Sequence, residues 1–307
     1  MLLSVVLLIV GFIALIKGAD YFVEGASQLA IYFHIPQIII GLTIVAFGTS
    51  APEMAISIVS AVKKSSDLAI GNIIGSNIIN VLLVLGIVGC LSRIQVKETT
   101  YHFEIPYVLI ITLILLILGK INHDLSVYDG MILLGLFLLF FIYLIFITKK
   151  ESHQEDEKKH IPLPHIILYI ILGIIGIVLG SQLVIESVDH IALAIGLSKR
   201  FIGLTIVAFG TSLPELMTSV MAVFKGQDDL SVGNIIGSNI FNILFVLGLS
   251  ATMCGPIVFI DKFIIDGLVA IISLMIFYFF INKEYVFMKC GAIIMLILYS
   301  IYLIYLI

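Results

Sequence analysis

Long apolar runs, separated by short polar or charged stretches, set the plan of this chain. A helix rises about 1.5 Å per residue and the hydrocarbon core of a bilayer is about 30 Å thick, so runs of about 20 apolar residues predict membrane-spanning helices. Ten spans are expected. In the first half they cover about Leu2–Phe33, Gln37–Val62, Leu68–Gly89, Glu104–Gly119 and Asp129–Thr148. In the second they cover about Leu163–Ala194, Phe201–Phe224, Leu230–Met253, Phe263–Ile281 and Tyr285–Ile307. Between them His34-Ile-Pro36, Lys63-Lys-Ser-Ser-Asp67 and the polar stretch Ser92 to His102 act as helix stops. Lys149 to His160 is the longest charged segment and reads as a solvated linker. The chain then divides into a first five-helix unit at 1–148, a charged cytoplasmic linker at 149–162 and a second five-helix unit at 163–307. The runs lack the alternation of apolar and polar residues, over about ten positions, that transmembrane barrel strands require.

The two halves repeat each other at an offset of 162 residues. Gly41-Leu-Thr-Ile-Val-Ala-Phe-Gly-Thr-Ser-Ala-Pro-Glu53 returns as Gly203-Leu-Thr-Ile-Val-Ala-Phe-Gly-Thr-Ser-Leu-Pro-Glu215, with one substitution in thirteen. Gly71-Asn-Ile-Ile-Gly-Ser-Asn-Ile-Ile-Asn80 returns as Gly233-Asn-Ile-Ile-Gly-Ser-Asn-Ile-Phe-Asn242. Five spans per half is an odd number, so the copies enter the membrane from opposite sides. The expected architecture is an all-α polytopic membrane protein of two inverted-topology repeats, with broken helices in spans 2 and 7. The first run is kept as a helix and not read as a signal peptide. It lacks a basic leader, and its Ile9, Gly11, Ile13 and Gly18 recur as Ile171, Gly173, Ile175 and Gly180.

Composition agrees and adds little. The 307 residues are 61% hydrophobic and 12% charged, with a mean hydropathy of +1.23, whereas soluble domains carry about 25% charged residues. The net charge of −4 is spread over loops. Tryptophan is absent, so any interfacial aromatic belt comes from Tyr and Phe. Cys90, Cys254, Cys290 and the histidines show no metal-ligand spacing. With the 149–160 linker in the cytoplasm, nine Lys and Arg residues lie inside and six outside, which predicts both termini outside. The expected partners are the lipid bilayer and small ions, with no nucleic acid, and the expected form is a monomer.

The candidate chemistry lies in the repeated blocks. Gly48-Thr-Ser-Ala-Pro-Glu53 reads as a helix that stops and restarts in mid-span, because Gly48 loosens the chain and Pro52 removes an amide donor. Ser50 and Glu53 have capping-box spacing, as do Ser212 and Glu215. Capping alone does not account for the glutamates. A carboxylate at mid-membrane costs on the order of 3 kcal/mol, a cap returns about 1, and serine can cap without help. Glu53, Glu215, the hydroxyls of Thr49, Ser50, Thr211 and Ser212, and carbonyls near Ala46 and Ala208 make an all-oxygen set of the kind hard cations take. Asn72, Ser76 and Asn80 form one helical stripe, repeated by Asn234, Ser238 and Asn242, with Asn77 and Asn239 beside it. Asn72 and Asn234 suit a pin for the broken helices, and the four residues beyond them suit the wall of the site. Glu24 and Glu186 also correspond but lie near span ends, where solvated placement is expected.

With these motifs, Gly-Thr-Ser-x-Pro-Glu and Gly-Asn-x-x-Gly-Ser-Asn in both halves, the chain resembles the cation/Ca²⁺ exchanger superfamily, and within it the prokaryotic Na⁺/Ca²⁺ exchangers. The resemblance spans the whole chain. It implies an antiporter in a prokaryotic cell membrane that exchanges Na⁺ for Ca²⁺ by alternating access, the first and sixth spans sliding over a core that holds four cation sites. It implies that Ca²⁺ and Na⁺ are bound as substrates, with no cofactor and no enzymatic activity. Glu53 and Glu215 would hold Ca²⁺ with Thr49 and Thr211; Na⁺ would use the same glutamates with Ala46, Ser50, Ser76, Ala208, Ser212 and Ser238. Many relatives carry Asp at one of the positions held here by Asn80 and Asn242. Its absence argues for K⁺ independence and leaves two carboxylates in the core. A Ca²⁺/H⁺ or other divalent cation exchanger is the alternative reading. Intramembrane proteolysis by paired acids has no need of two equivalent hydroxyl-rich breaks, and a purely structural protein has no need of buried acids.

Overall fold

The protein is described here by a computed structural model that covers residues 2–151, 161–194 and 208–306. Its helices are α1 (Leu2–Phe33), α2 (Gln37–Thr49), α3 (Ala51–Val62), α4 (66–91), α5 (Thr100–Asn122), α6 (Val127–Glu151), α7 (Leu163–Ala194), α8 (Ala208–Thr211), α9 (Leu213–Phe224), α10 (Asp228–Cys254), α11 (Lys262–Phe279) and α12 (Lys289–Leu306). Among the described residues eight helices are long and apolar enough to cross a membrane. The pair α2 and α3, bent by 52°, makes a ninth span if counted as one. The expected seventh span begins outside the described residues, at 201–207, and residues 152–160 of the charged linker also lie outside them. Large apolar side chains such as Leu3, Ile9, Phe146 and Ile304 cover the outer surface, which suits lipid and not water.

Short stretches at the span ends depart from the expected helices. Val286–Phe287 is a strand (β4) where the last span was expected to have begun at Tyr285; that helix starts at Lys289. Asn282 Oδ1 accepts the amides of Glu284 and Val286, both at 2.9 Å, and Tyr285 takes a left-handed φ of 58°. That local turn stops the helix from starting earlier. Ile94–Gln95 (β1) pairs antiparallel with β4, and Asp124–Leu125 (β2) pairs with Ile257–Val258 (β3). These two ribbons tie loops from the two halves together at opposite ends of α5. At the ends of α3 and α9 the corresponding left-handed positions are Lys64 (φ 57°) and Gly226 (φ 69°). Glycine meets that conformation without the Cβ clash that lysine must bear.

The core is built on α4 and α10, whose Ile70, Ile73, Leu85, Ile235, Ile236 and Leu244 are fully buried. A second apolar cluster joins α1 to α7 through Leu15, Phe22, Ile177 and Val184. Their backbones touch. A Cβ on Gly18 would fall 2.6 Å from the Ile177 nitrogen, and one on Gly173 would fall 2.6 Å from that of Phe22. Gly11 meets Gly180 in the same way, so the two helices run antiparallel with small residues at the contact, a packing that membranes favour. One polar tie holds α1 to α9. Lys225 reaches Asp20 at 2.8 Å and Glu24 at 3.0 Å. Burial works against its charge, but the two carboxylates prevail and raise the Lys225 pKa. Glu24 is thus ion-paired at the rim, while its counterpart Glu186 is exposed.

Candidate cation-binding site

The helix break occurs at the serine. Ser50 leaves helical geometry at φ −82° and ψ 8°, and Ser212 does so at φ −87° and ψ 3°. Pro52 and Pro214 occupy the first turn of the helices that restart, where their missing amides cost least. The capping-box expectation fails here. Neither serine hydroxyl caps its own helix. Ser50 Oγ instead donates to Glu215 Oε1 at 2.9 Å, across 165 residues of chain. A hydrogen bond to a buried carboxylate is about twice as strong as one between neutral groups, and it outcompetes a cap. The carbonyl of Ala46 is not freed as expected either: it accepts from the Ser50 amide at 3.0 Å. At the second break the Ser212 amide bonds to Phe209 O at 3.2 Å. The side chain of Ala208 lies outside the described residues.

The structure brings Glu53, Glu215, Thr49, Thr211, Ser50, Ser212, Ser76, Ser238, Asn80 and Asn242 into the buried interior. Each glutamate is faced by hydroxyls from the other half's break and from its own half's long helix. Glu215 Oε1 accepts from Ser50 and, at 3.4 Å, from Ser238 of α10, while Thr49 Oγ1 donates to Asn234 Oδ1 at 3.0 Å. Thr211 and Ser76 face Glu53 in the matching arrangement but close no hydrogen bond to it. Because Ser50 lies three residues before Glu53 and bonds Glu215, the two carboxylates share one buried region. Both oxygens of Glu53, Oε2 of Glu215, Oγ of Ser212 and Oδ1 of Asn80 and of Asn242 are buried without a hydrogen-bond partner. Buried charges cost several kcal/mol unless compensated, so this arrangement calls for positive charge. Among the described residues no three His, Cys, Asp or Glu side chains gather as metal ligands. The set is two carboxylates amid neutral oxygens, the preference of Ca²⁺ or Na⁺ and not of soft metals.

The asparagine stripe divides as its positions predict at one end. Asn72 Nδ2 donates to the Glu53 carbonyl (3.1 Å) and to Ser57 Oγ (3.0 Å). Asn234 Nδ2 does the same to the Glu215 carbonyl (3.4 Å) and Ser219 Oγ (3.0 Å). Both therefore fix the turn that carries the glutamate. Ser57 and Ser219 were not singled out from the sequence, although their recurrence at the 162-residue offset was available as a signal. The same offset marks Asn77 and Asn239, whose amides bridge α4 and α10.

A family model described as sodium/calcium exchanger protein matches residues 3–146 and 165–307. The putative antiporter CaxA of Alkalimonas amylolytica is 41% identical over 264 residues, 83% of this chain and 82% of its own. The sodium/calcium exchanger MaX1 of Methanosarcina acetivorans is 30% identical over 285 residues, 80% of this chain and 81% of its own. The solved structure of the sodium-calcium exchanger NCX_Mj, soaked with zero Na⁺ and Ca²⁺, superposes with a TM-score of 0.86 at 32% identity, covering 100% of this chain and 99% of that one.

Proposed function

The chain belongs to the sodium/calcium exchanger protein family, and on that premise we propose that it is an antiporter that moves Ca²⁺ against Na⁺ by alternating access. The observation that carries this reading is the meeting of two fully buried glutamates, each on a broken helix, with the Ser50 hydroxyl of one half bonded to Glu215 of the other. Glu53 and Glu215 with Thr49 and Thr211 hold Ca²⁺ in this account. Na⁺ takes the same glutamates with Ser50, Ser76, Ser212, Ser238 and the backbone at Ala46 and Ala208; Asn80 and Asn242 complete the oxygen wall. The test is ⁴⁵Ca²⁺ uptake into proteoliposomes with outward Na⁺, H⁺ or K⁺ gradients compared side by side. Uptake driven by H⁺ and indifferent to Na⁺ would overturn the assignment of the counter-ion.

The architecture proposed with it is ten spans in two inverted five-helix repeats, 1–148 and 163–307, joined by the charged linker, with both termini outside. Supporting it, repeat-related α1 and α7 pack antiparallel, and repeat-related ribbons pair reciprocally, β1 with β4 and β2 with β3. Because α1 and α7 touch backbone to backbone and share a cluster apart from the main core, they suit a unit that slides across the ion-holding core.

Exchange is expected to be electrogenic. One Ca²⁺ or two Na⁺ neutralise two carboxylates, and the duplicated hydroxyls supply oxygens for a third Na⁺. Moving that extra charge through 100 mV is worth about 2.3 kcal/mol. The reversal point of Ca²⁺ flux, at fixed ion gradients, should shift over a series of valinomycin-set potentials; a fixed reversal point means electroneutral exchange. With Asn at both 80 and 242, flux should also be the same whether K⁺ or choline balances the Na⁺ gradient at clamped voltage. A strict requirement for K⁺ would refute this.

A further inference from the structure

Four buried asparagine side chains join α4 to α10, and their hydrogen bonds leave two oxygens over. Asn242 Nδ2 donates to Asn77 Oδ1 at 3.0 Å, and Asn80 Nδ2 donates to Asn239 Oδ1 at 3.2 Å. Asn77 and Asn239 in turn donate to each other's backbone carbonyl, at 3.2 and 3.4 Å. Every amide donor group is thus used, and so are the oxygens of Asn77 and Asn239. The remaining acceptors, Asn80 Oδ1 and Asn242 Oδ1, are buried without a partner. Flipping either amide would set its oxygen against the Oδ1 of Asn239 or Asn77, acceptor facing acceptor, so the contact fixes which atom is presented. Asn80 and Asn242 each lie four residues beyond Ser76 and Ser238, the buried serines of α4 and α10, of which Ser238 bonds Glu215. Both also lie in π-helical stretches, Ile79–Leu85 and Phe241–Leu247, a distortion that recurs at functional sites.

We propose that Asn77 and Asn239 are positioning residues, which hold Asn242 and Asn80 so that each offers a neutral side-chain oxygen to the transported cation. The proposal rests on the exchange reading above and adds a determinant of its specificity. An ionised Asp at 242 would have no donor for Asn77 Oδ1 and would oppose its oxygen, so this clamp disfavours a third charge and keeps the site at two carboxylates.

The experiment is a double-mutant cycle read by Ca²⁺-dependent protection of the detergent-purified full chain against thermal unfolding, with ⁴⁵Ca²⁺ uptake in liposomes giving the KM and Vmax. Asn77→Ala is expected to raise the Ca²⁺ concentration for half-protection, and the KM, about tenfold, as loss of a partner behind a metal ligand does. In an Asn242→Ser background, which keeps an oxygen but has no amide to hold, the same change should cost less than about twofold, because the two sites act as one. In an Asn80→Ala background it should keep its full effect, and Asn239→Ala should show the reverse pattern. An equal fold effect of Asn77→Ala in the wild-type and Asn242→Ser backgrounds, or lower thermal stability with unchanged Ca²⁺ dependence, reduces the clamp to a structural weld and overturns the proposal. Should Asn77→Ala not fold, Asn77→Ser carries the same expectation with a smaller cavity. If the wild type shows no Ca²⁺ protection, or Glu53→Gln leaves it intact, the exchange reading fails and the clamp fails with it; a failed cycle beside normal wild-type binding sinks the clamp alone.

Discussion

Glu53→Gln and Glu215→Gln are each expected to reduce Na⁺-driven Ca²⁺ uptake below about a tenth of wild type, because Ca²⁺ needs both charges of its carboxylate pair and six to eight oxygens. The variants keep the shape of the side chain, and the two should differ in stability. Glu215 Oε1 already accepts from Ser50 and Ser238, and both hydroxyls bond a neutral Gln oxygen more weakly than a carboxylate. Both oxygens of Glu53 are buried without a partner. Gln is neutral, so no unpaired charge has to be buried at this position. In Ca²⁺-free and Na⁺-free detergent, Glu53→Gln should therefore unfold at a temperature no lower than wild type. Uptake above a tenth of wild type for either variant would sink the assignment, and a strongly destabilised Glu53→Gln would contradict the reading of its carboxylate.

The second large effect is expected at the contact of α1 with α7. Gly18→Val and Gly173→Val would each place a branched side chain where a Cβ alone would come within 2.6 Å of a backbone nitrogen on the opposite helix. Backbone atoms cannot give way as a flexible side chain can, so the helices must separate. Overpacking of this kind costs about 1–3 kcal/mol, and here it also displaces Phe22 and Ile177 from the cluster that seats the pair on the core. Both variants should lower the unfolding temperature and lose Ca²⁺ exchange. Gly135→Ala in α6, where an added Cβ meets nothing within 4 Å, should change stability by no more than about 0.5 kcal/mol. A Gly18→Val protein as stable and active as Gly135→Ala would mean that the helices need not touch.

The family, the helical membrane fold and the presence of a break before each glutamate were legible in the sequence because each depends on local pattern. Apolar runs longer than a bilayer is thick can only be helices, Pro52 and Pro214 remove amides wherever the chain goes, and a 162-residue repeat is visible without any fold. Local pattern also misled. Ser-x-x-Glu spacing predicted a cap, and the long apolar tail predicted a helix through Val286 and Phe287. The structure turned Ser50 to Glu215 and paired Val286 and Phe287 with residues 94–95. Those choices were made between groups 165 to 193 residues apart in the chain, and the bonds of the four asparagines span 159 to 165. Sequence lists which donors and acceptors must be satisfied once water is excluded. Which acceptor each donor meets is set by how α2, α4, α9 and α10 pack, because in a buried interior the charged oxygen or the matched amide on a neighbouring helix can outcompete the nearest group on the same one.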